Sequence, residues 1–561
     1  MKPGHKQWAL LFAAALAGST HAQTRPAVSG NPLEALPQIK APDKGPNVTL
    51  QVAPQAPPLQ QLLARHLTPT RVQVEGVKSI PFDDVAQRFT PLVGKDITIG
   101  ELIEVADGVT KLYQARGYAL SFAFVPAQTF EGGVVRVTVV EGYVAQVKLT
   151  GDAGAIEPRL RALADHISAD RPLRRATFER YINLMGRLPG VKVGANVPPP
   201  QNTDGATTLE LAVAHKPFNV STGIDFNRPG VQGVLSVAEN GLTSLGEQLS
   251  VSALLPKGRD NVTYVAAHGA VPIGNDGVMT AIDASHYRGN PTDNPGLPSN
   301  IERTVINDRL AASVSYPLIL SNTRSLIGTA TGYASHDEDR YHNRDTGTQI
   351  GLRSQVRVLQ LQADYAGADA GQVRKASVNV AKAFNVLGAS KGGDSNVPGF
   401  VPQNPASITF VRTGASFSQS NDWPLGIGTT VAATGQFSPD SLPTSEQISF
   451  GAQRFALGYQ PGETSGDSGW GASLEVNRAF ALGFAWLRTL TPYVSFDIAR
   501  VYLHAGTPSP SRLSSVALGF RISDSKYYSL DLSVAKPVGD APIESASRSP
   551  RINATFSYQL D

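Results

Sequence analysis

The chain has 561 residues, of which 41% are hydrophobic and only 17% charged, with 53 Gly, 40 Pro, no Cys and a formal net charge of +3. That length excludes a single small domain. The lack of cysteine excludes disulfides and thiolate metal sites, and so small a net charge gives no support to a nucleic-acid partner. The ten His are scattered, with no pair at helical ligand spacing followed by a third ligand, so no metal or other cofactor is expected.

The N-terminus predicts an export signal. Lys2, His5 and Lys6 precede the apolar run WALLFAAALAG, and STHAQ suggests cleavage after Ala22. No later run approaches the ~20 apolar residues of a membrane-spanning helix. An exported soluble protein or an outer-membrane barrel is therefore expected. Residues 23–69 are rich in Pro and Ala and predict a linker, with a short helix over Leu59–Leu67.

Residues 70–144 predict a β-α-α-β-β unit. RVQVEGV alternates like a strand, and Pro81 suits the first turn of a helix. Thr98 and Glu101 have capping-box spacing. Leu102, Val105, Val109 and Leu112 then recur at helical intervals up to Gly117. YALSFAFVPAQ and VVRVTVVEGYV read as strands. Residues 145–216 repeat the order: VAQVKLTG, two helical runs ending at Pro189–Gly190, then VKVGANV and TTLELAVAHK. A tandem pair of one unit suggests a receptor arm.

From Pro217 the helical periodicity stops, and strand-length runs alternate between Gly, Asn, Asp and Pro turns. In RINATFSYQL, Ile552, Ala554, Phe556, Tyr558 and Leu560 share one face, and Asn553, Thr555, Ser557 and Gln559 the other. Runs near the ~9–11 residues that cross a bilayer at a tilt, with a Ser/Thr/Asn/Asp/Gln face suited to a wet lumen, predict a membrane β-barrel over 217–561. Its strand number, even in bacterial single-chain barrels, is expected to be sixteen. In RSQVRVLQLQADY the apolar phase shifts between Val358 and Leu359, which suggests a bulge or a hidden turn.

GAQRFALGYQPGETSGDSGWG, residues 451–471, contains a protease-like GDSG, and YVAAHGA places His268 before Ser468. However, His268 lies in an alternating strand-like run, and no intervening Asp has a recognisable context for a triad. No enzymatic activity is expected.

The chain resembles the outer-membrane transporters of two-partner secretion, the haemolysin- and filamentous-haemagglutinin-secreting branch of the Omp85 superfamily. LYQARGYALSFAFVPAQTFEGGVVRVTVVEGYV is similar to that family's first POTRA domain, with landmarks at Gly117–Tyr118, Pro126–Gln128 and Val140–Gly142. VAQVKLTG onward resembles the second. Residues 452–470 resemble the family's long loop that folds back into the lumen, and PYVSFDIARVY resembles the strand whose aspartate faces it. The family's loop tip reads hydrophobic-Arg-Gly-aromatic. The matching residues here are Ala456, Leu457, Gly458 and Tyr459, with leucine at the arginine position. That arginine pairs in the family with the strand aspartate, here Asp497. Alternation places Asp497 in the lumen and Val494, Phe496 and Ile498 on the lipid side. Arg454 is the candidate replacement cation.

The resemblance implies an outer-membrane transporter with its POTRA domains in the periplasm. It would be a monomer surrounded by outer-membrane lipid, secreting a large β-helical exoprotein with an N-terminal secretion domain. The client would add a strand in a groove between helix 99–115 and strand 118–125, lined by Val109, Leu112, Leu120 and Phe122. It would then cross the barrel as an extended chain, driven by folding outside. A barrel-assembly or lipid-handling factor of the same superfamily, or a passive porin, are the alternatives. The two repeats and the Pro-rich N-terminus favour secretion.

Overall fold

The computed structural model describes residues 63–227, 230–255, 262–290, 298–452, 455–543 and 547–560. The expected export signal, the linker up to residue 62 and the first part of the expected helix at 59–67 lie outside them. His66–Leu67 is not helical. It is a short strand on Ile97–Thr98, so its backbone groups find partners across the chain instead of along it.

The first N-terminal module contains strands Arg71–Glu75, Phe122–Phe124 and Val134–Val140 and helices α1 (Phe82–Phe89) and α2 (Ile99–Ala115). Val134–Val140 is central, with Arg71–Glu75 parallel on one side and Phe122–Phe124 antiparallel on the other. The second module runs Tyr143–Asp152, α3 (Glu157–Ala169), α4 (Arg175–Gly186), Val191–Asn196, Ala206–His215. Its last strand is again central, with the same pairing senses. The repeat in pattern is thus a repeat in topology.

Local chemistry explains the first module. At the start of α2, Glu101 N–H donates to Thr98 Oγ1 at 3.2 Å, and Thr98 N–H donates to Glu101 Oε2 at 2.8 Å. Leu102, Ala106, Val109 and Tyr113 form its buried stripe. Glu141 accepts from Lys78 N–H (2.8 Å), Ser79 N–H (2.7 Å), Ser79 Oγ (2.7 Å) and Tyr113 Oη (2.9 Å). It thereby ties the entry to α1 to the end of α2. Burial pushes this carboxyl up, but those hydrogen bonds outweigh it and hold Glu141 below the usual carboxylate range. A Cβ at Gly142 would stand 2.5 Å from Leu120 O, so only glycine fits there. The strand expected over 118–128 is only Phe122–Phe124. Beyond it, the Gln128 amide takes over the pairing, donating to Arg136 O at 2.9 Å and accepting from Arg136 N–H at 2.8 Å.

The C-terminal region closes into an antiparallel barrel of sixteen strands. Two of them are interrupted: Gln372–Ala383 continues as Ser390–Ser395, and Ser468–Arg478 continues as Phe480–Ala481. The last strand, Arg551–Leu560, pairs with the first, Phe218–Asp225, from Thr555↔Asp225 to Leu560↔Val220. Val494, Phe496, Val516, Leu518, Ile552 and Leu560 are exposed outward, while Asp497, Ser515 and Asn553 are buried inside. Neither the bulge nor the hidden turn expected near Val358 is present. Gln349–Asp369 holds one register with Arg324–Asn343, and the break lies in its other neighbour, at residues 384–389. The phase shift has another cause. Val356 and Val358 point into the lumen, where Phe410 and Leu442 from outer loops cover them, while Leu359 and Leu361 face lipid.

The second module is fastened to one rim of the barrel. The Arg180 guanidinium on α4 donates to Asp276 Oδ1 (2.9 Å), Asp276 O (2.9 Å), Pro317 O (3.1 Å) and Tyr316 Oη (3.0 Å). Tyr316 Oη closes the ring by donating to Asp276 Oδ2 at 2.6 Å. Asn183 Nδ2 donates to Asn322 Oδ1 at 2.8 Å, and Arg159 Nη2 to Gly274 O at 2.6 Å.

Glu141→Gln is expected to destabilise the first module by about 1–3 kcal/mol, seen as faster amide exchange across α2 in the whole protein. The folded Glu141 pKa is lowered. Its contribution is therefore complete above the usual value near 4.3 and disappears as pH falls through the lowered value. Arg180→Ala removes five hydrogen bonds to four acceptor atoms and is expected to weaken docking by about 2–3 kcal/mol. Spin labels on α4 and on the barrel rim would then report a broadened distance distribution, with both modules still folded.

Candidate functional site: a loop seated in the barrel lumen

Between strands Ile427–Phe437 and Ser468–Arg478 the chain enters the lumen as a loop over residues 438–467. The loop is longer at its start than the expected 452–470, and Ser468 already belongs to the wall. Its limbs form a small hairpin, Ile448–Phe450 with Thr464–Gly466. Asp467 of the GDSG stretch is buried and accepts from Leu442 N–H (2.8 Å) and His504 N–H (2.9 Å). Ser438 N–H donates to Ser468 Oγ at 3.0 Å, and that hydroxyl donates to Ser438 O at 3.2 Å. His268 instead bonds Asp283 of the neighbouring strand, at 2.7 Å. Of the protease-like residues, Asp467 and Ser468 thus pin the two limbs of a loop, and His268 belongs to the barrel wall.

Near its base the loop leans on one wall. Glu446 accepts from Tyr333 Oη at 2.9 Å and pairs with Arg412 at 3.3 Å. Thr444 Oγ1 donates to Asp339 Oδ2 at 3.0 Å, and the other Asp339 oxygen accepts from the buried Arg303 at 2.6 Å.

The tip reaches a different part of the wall. Leu457 N–H donates to Asp497 Oδ2 at 3.3 Å, and Ser515 Oγ donates to the same oxygen at 3.3 Å. Asn553 Nδ2 donates to Leu457 O at 2.8 Å. Tyr459 is fully buried, and its hydroxyl donates to Asp540 O at 2.8 Å. A Cβ on Gly458 would stand 2.7 Å from Pro537 N and 3.0 Å from Lys536 C, so the tip approaches the wall as only glycine permits. Ala452, Phe455 and Ala456 hold left-handed φ of 49°, 57° and 76°. Such conformations persist where packing over-determines them, here by Ile448, Phe450, Tyr459, Ala499, Val501 and Leu513.

Asp497 is therefore a buried lumen residue in contact with the tip, through backbone and not through a side chain at position 457. Arg454 lies outside the described residues. Pattern reading missed a wall cluster beside the tip. Arg521 pairs with Glu475 (2.8 Å) and Asp531 (3.0 Å), its guanidinium lies 4.3 Å from the Tyr493 ring centre, and Tyr493 Oη donates to Asp531 at 2.8 Å. These side chains, with Leu457 and Asp497, line a cavity of about 260 Å³. The signal for it was present, because opposite charges sit on lumen faces of three nearby strands, Ser468–Arg478, Arg512–Ser523 and Tyr528–Pro537, with Thr489–Tyr502 between the first two. Their register was not.

The expected client groove is closed. Val109 is fully buried in the first module's core, and Leu120 belongs to the second module's core. Only Leu112 and Phe122 stay half-exposed. The outer edge of Phe122–Phe124 is capped by α2 itself, because Ala123 N–H donates to Thr110 Oγ1 at 2.9 Å. Tyr143–Asp152 of the second module, by contrast, pairs with Ala206–His215 on one side and with no strand on the other among the described residues. Along it Lys148 and Thr150 are exposed, and Val147 and Leu149 half-buried.

Comparison with known proteins agrees with this architecture. Residues 67–142 match a POTRA domain of the ShlB type, and residues 324–522 match the haemolysin secretion/activation protein family ShlB/FhaC/HecB. The heme/hemopexin transporter protein HuxB of Haemophilus influenzae (strain 86-028NP) is 19% identical over 507 residues, covering 87% of this chain and 86% of the relative. The outer membrane transporter CdiB of Escherichia coli O6:K15:H31 is 23% identical over 411 residues, 72% of this chain and 67% of the relative. The solved structure of CdiB from Escherichia coli superposes with a TM-score of 0.65 at 19% identity, covering 91% of this chain and 93% of that one.

Gly458→Ala is expected to unseat the tip, because its methyl meets wall backbone. Tyr459→Phe removes one hydrogen bond, about 1 kcal/mol, and should raise the unseated fraction about fivefold. Single-channel conductance in planar bilayers checks both, and unchanged opening in both variants would mean that the tip is not the gate.

Proposed function

We propose that this chain, a member of the two-partner secretion transporters of the Omp85 superfamily, takes an unfolded exoprotein from the periplasm on its POTRA domains and passes it through the barrel. The observation that carries this reading is the loop held across the lumen by a base on one wall and a tip on another. A passive pore has no need of such a bridge. The tip is held by a few hydrogen bonds of about 1 kcal/mol each and by the packing around Tyr459, contacts that an entering chain can replace with its own. The second domain, latched by Arg180 to the barrel rim, keeps a captured client beside the entrance.

Capture is assigned to the open edge Tyr143–Asp152. An extended client adds a strand there and sets alternate side chains against Val147 and Leu149. The names of the relatives, a heme/hemopexin transporter and an outer membrane transporter, support transport of a partner. In this reading the chain catalyses no reaction, acts as a monomer, and draws on the client's folding at the surface, about 5–15 kcal/mol per domain.

A photocrosslinker at Lys148 or Thr150 is expected to trap the exoprotein during secretion, while one at Arg88 on α1 does not. Trapping only along Arg71–Glu75 would move capture to the first domain. No trapping at either edge would overturn strand addition.

A further inference from the structure

We propose that the outer wall of the barrel carries a seat for a phosphorylated, multi-chain glycolipid of the outer leaflet. Six neighbouring strands contribute, from Thr263–Ile273 to Gln372–Ala383. Val265, His286, Asp308, His336 and Gln355 stand directly opposite one another in a single cross-strand row. The next outward row toward the modules is Ala267, Ala284, Leu310, Ala334 and Arg357. The row after that is Gly269, Ile282, Ala312, Gly332 and Leu359, and it continues to Lys382.

The rows change character abruptly. The first is mostly polar, with His286 Nδ1 2.6 Å from Asp308 Oδ1. The lower two are apolar apart from the two cations Arg357 and Lys382. The alanines of the second row, Ala267, Ala284 and Ala334, hollow out a depression of about 540 Å³ between the polar row and Arg357, and in the row below a Cβ at Gly332 would meet nothing within 4 Å. Leu310, Val314 and Leu318 mark the lipid-facing stretch of Ile301–Leu320. From Leu310 to Leu318 is about 26 Å along a strand, or about 20 Å along the membrane normal at the usual tilt of ~40°, which takes up most of the ~25 Å apolar band of such barrels. The polar row therefore lies at headgroup level, on the side away from the periplasmic modules.

Beside it, residues 384–389 leave the ladder, and Phe384, Val386 and Leu387 stand exposed. Arg357 holds this excursion, donating to Leu387 O at 3.1 Å and accepting from Phe384 N–H at 2.8 Å. A guanidinium has five N–H donors, so Arg357 keeps capacity for an anion. Arg357 and Lys382 supply two positive charges at the boundary; Lys382 Nζ gives one of its three N–H groups to Thr409 O at 2.9 Å, and the only carboxylate in the three rows, Asp308, is engaged by His286. Charge and depth together fit a phosphate above several acyl chains, with the excursion's apolar side chains immersed next to them.

The test is native mass spectrometry of the full-length transporter in detergent, titrated with bis-phosphorylated lipid A. The wild type is expected to retain it, and Arg357→Ala/Lys382→Ala to bind about tenfold or more weakly. Ala334→Phe, which fills the hollow and leaves the charges in place, should also weaken retention. Dephosphorylated lipid A should bind no better to the wild type than lipid A does to the double variant. Equal retention by wild type and both variants would overturn the seat. Phosphatidylglycerol bound as tightly as lipid A would overturn the glycolipid assignment. Displacement of lipid A by millimolar inorganic phosphate would reassign the cations to a free-phosphate site.

Discussion

The pairing of Arg551–Leu560 with Phe218–Asp225 is the constraint on which the rest depends. In hydrocarbon an unpaired backbone N–H or C=O costs several kcal/mol, so a sheet survives there only if it has no edge. Six residue pairs, Thr555↔Asp225 through Leu560↔Val220, remove the last edge. Closure then separates two solvents with a single layer of backbone. Outward positions take Leu, Val, Ile and Phe, while inward positions hold charges and amides that would be intolerable one residue along.

The lumen uses that freedom to hold a loop. A carboxylate such as Asp497 or Glu446 is costly when dry unless hydrogen-bonded, and both are bonded to the loop or by it. The loop and the walls therefore satisfy each other's polar groups. Lifting the loop exposes these groups to water or to a passing chain, either of which can replace the lost bonds. The seated state can be well ordered without being deeply stable.

Much of this was legible in the sequence because it rests on period. The two β-α-α-β-β units, the capping box at Thr98 and the outward faces of Ile552–Leu560 all follow from periodicity of 3.6 or 2. What depends on register or on distant contact was not legible. Val356 and Val358 broke the alternation because Phe410 and Leu442 dry one patch of the lumen, and local pattern cannot report a cover that arrives from another loop. Val109, Leu120 and the Phe122–Phe124 edge suggested a groove, yet Thr110 reaches across and caps it. The Arg521–Glu475–Asp531 cluster required knowing which strands are neighbours and how they align.

Position 457 shows why a departure from a family pattern need not remove a contact. Where an arginine is expected, this chain has leucine. The docking atoms at this residue are its N–H, given to Asp497, and its C=O, held by Asn553. Neither depends on the side chain. Gly458 and Tyr459, which do match, are the residues whose side chains matter: one must be absent for wall contact, and the other must carry a hydroxyl to Asp540. Meanwhile Arg521 places a guanidinium in the wall beside the tip, so the cavity next to Leu457 holds positive charge that stays behind when the loop leaves. In this chain the charge partner of the lumen carboxylates Glu475 and Asp531 belongs to the channel. The loop can move out without first separating Arg521 from either of them.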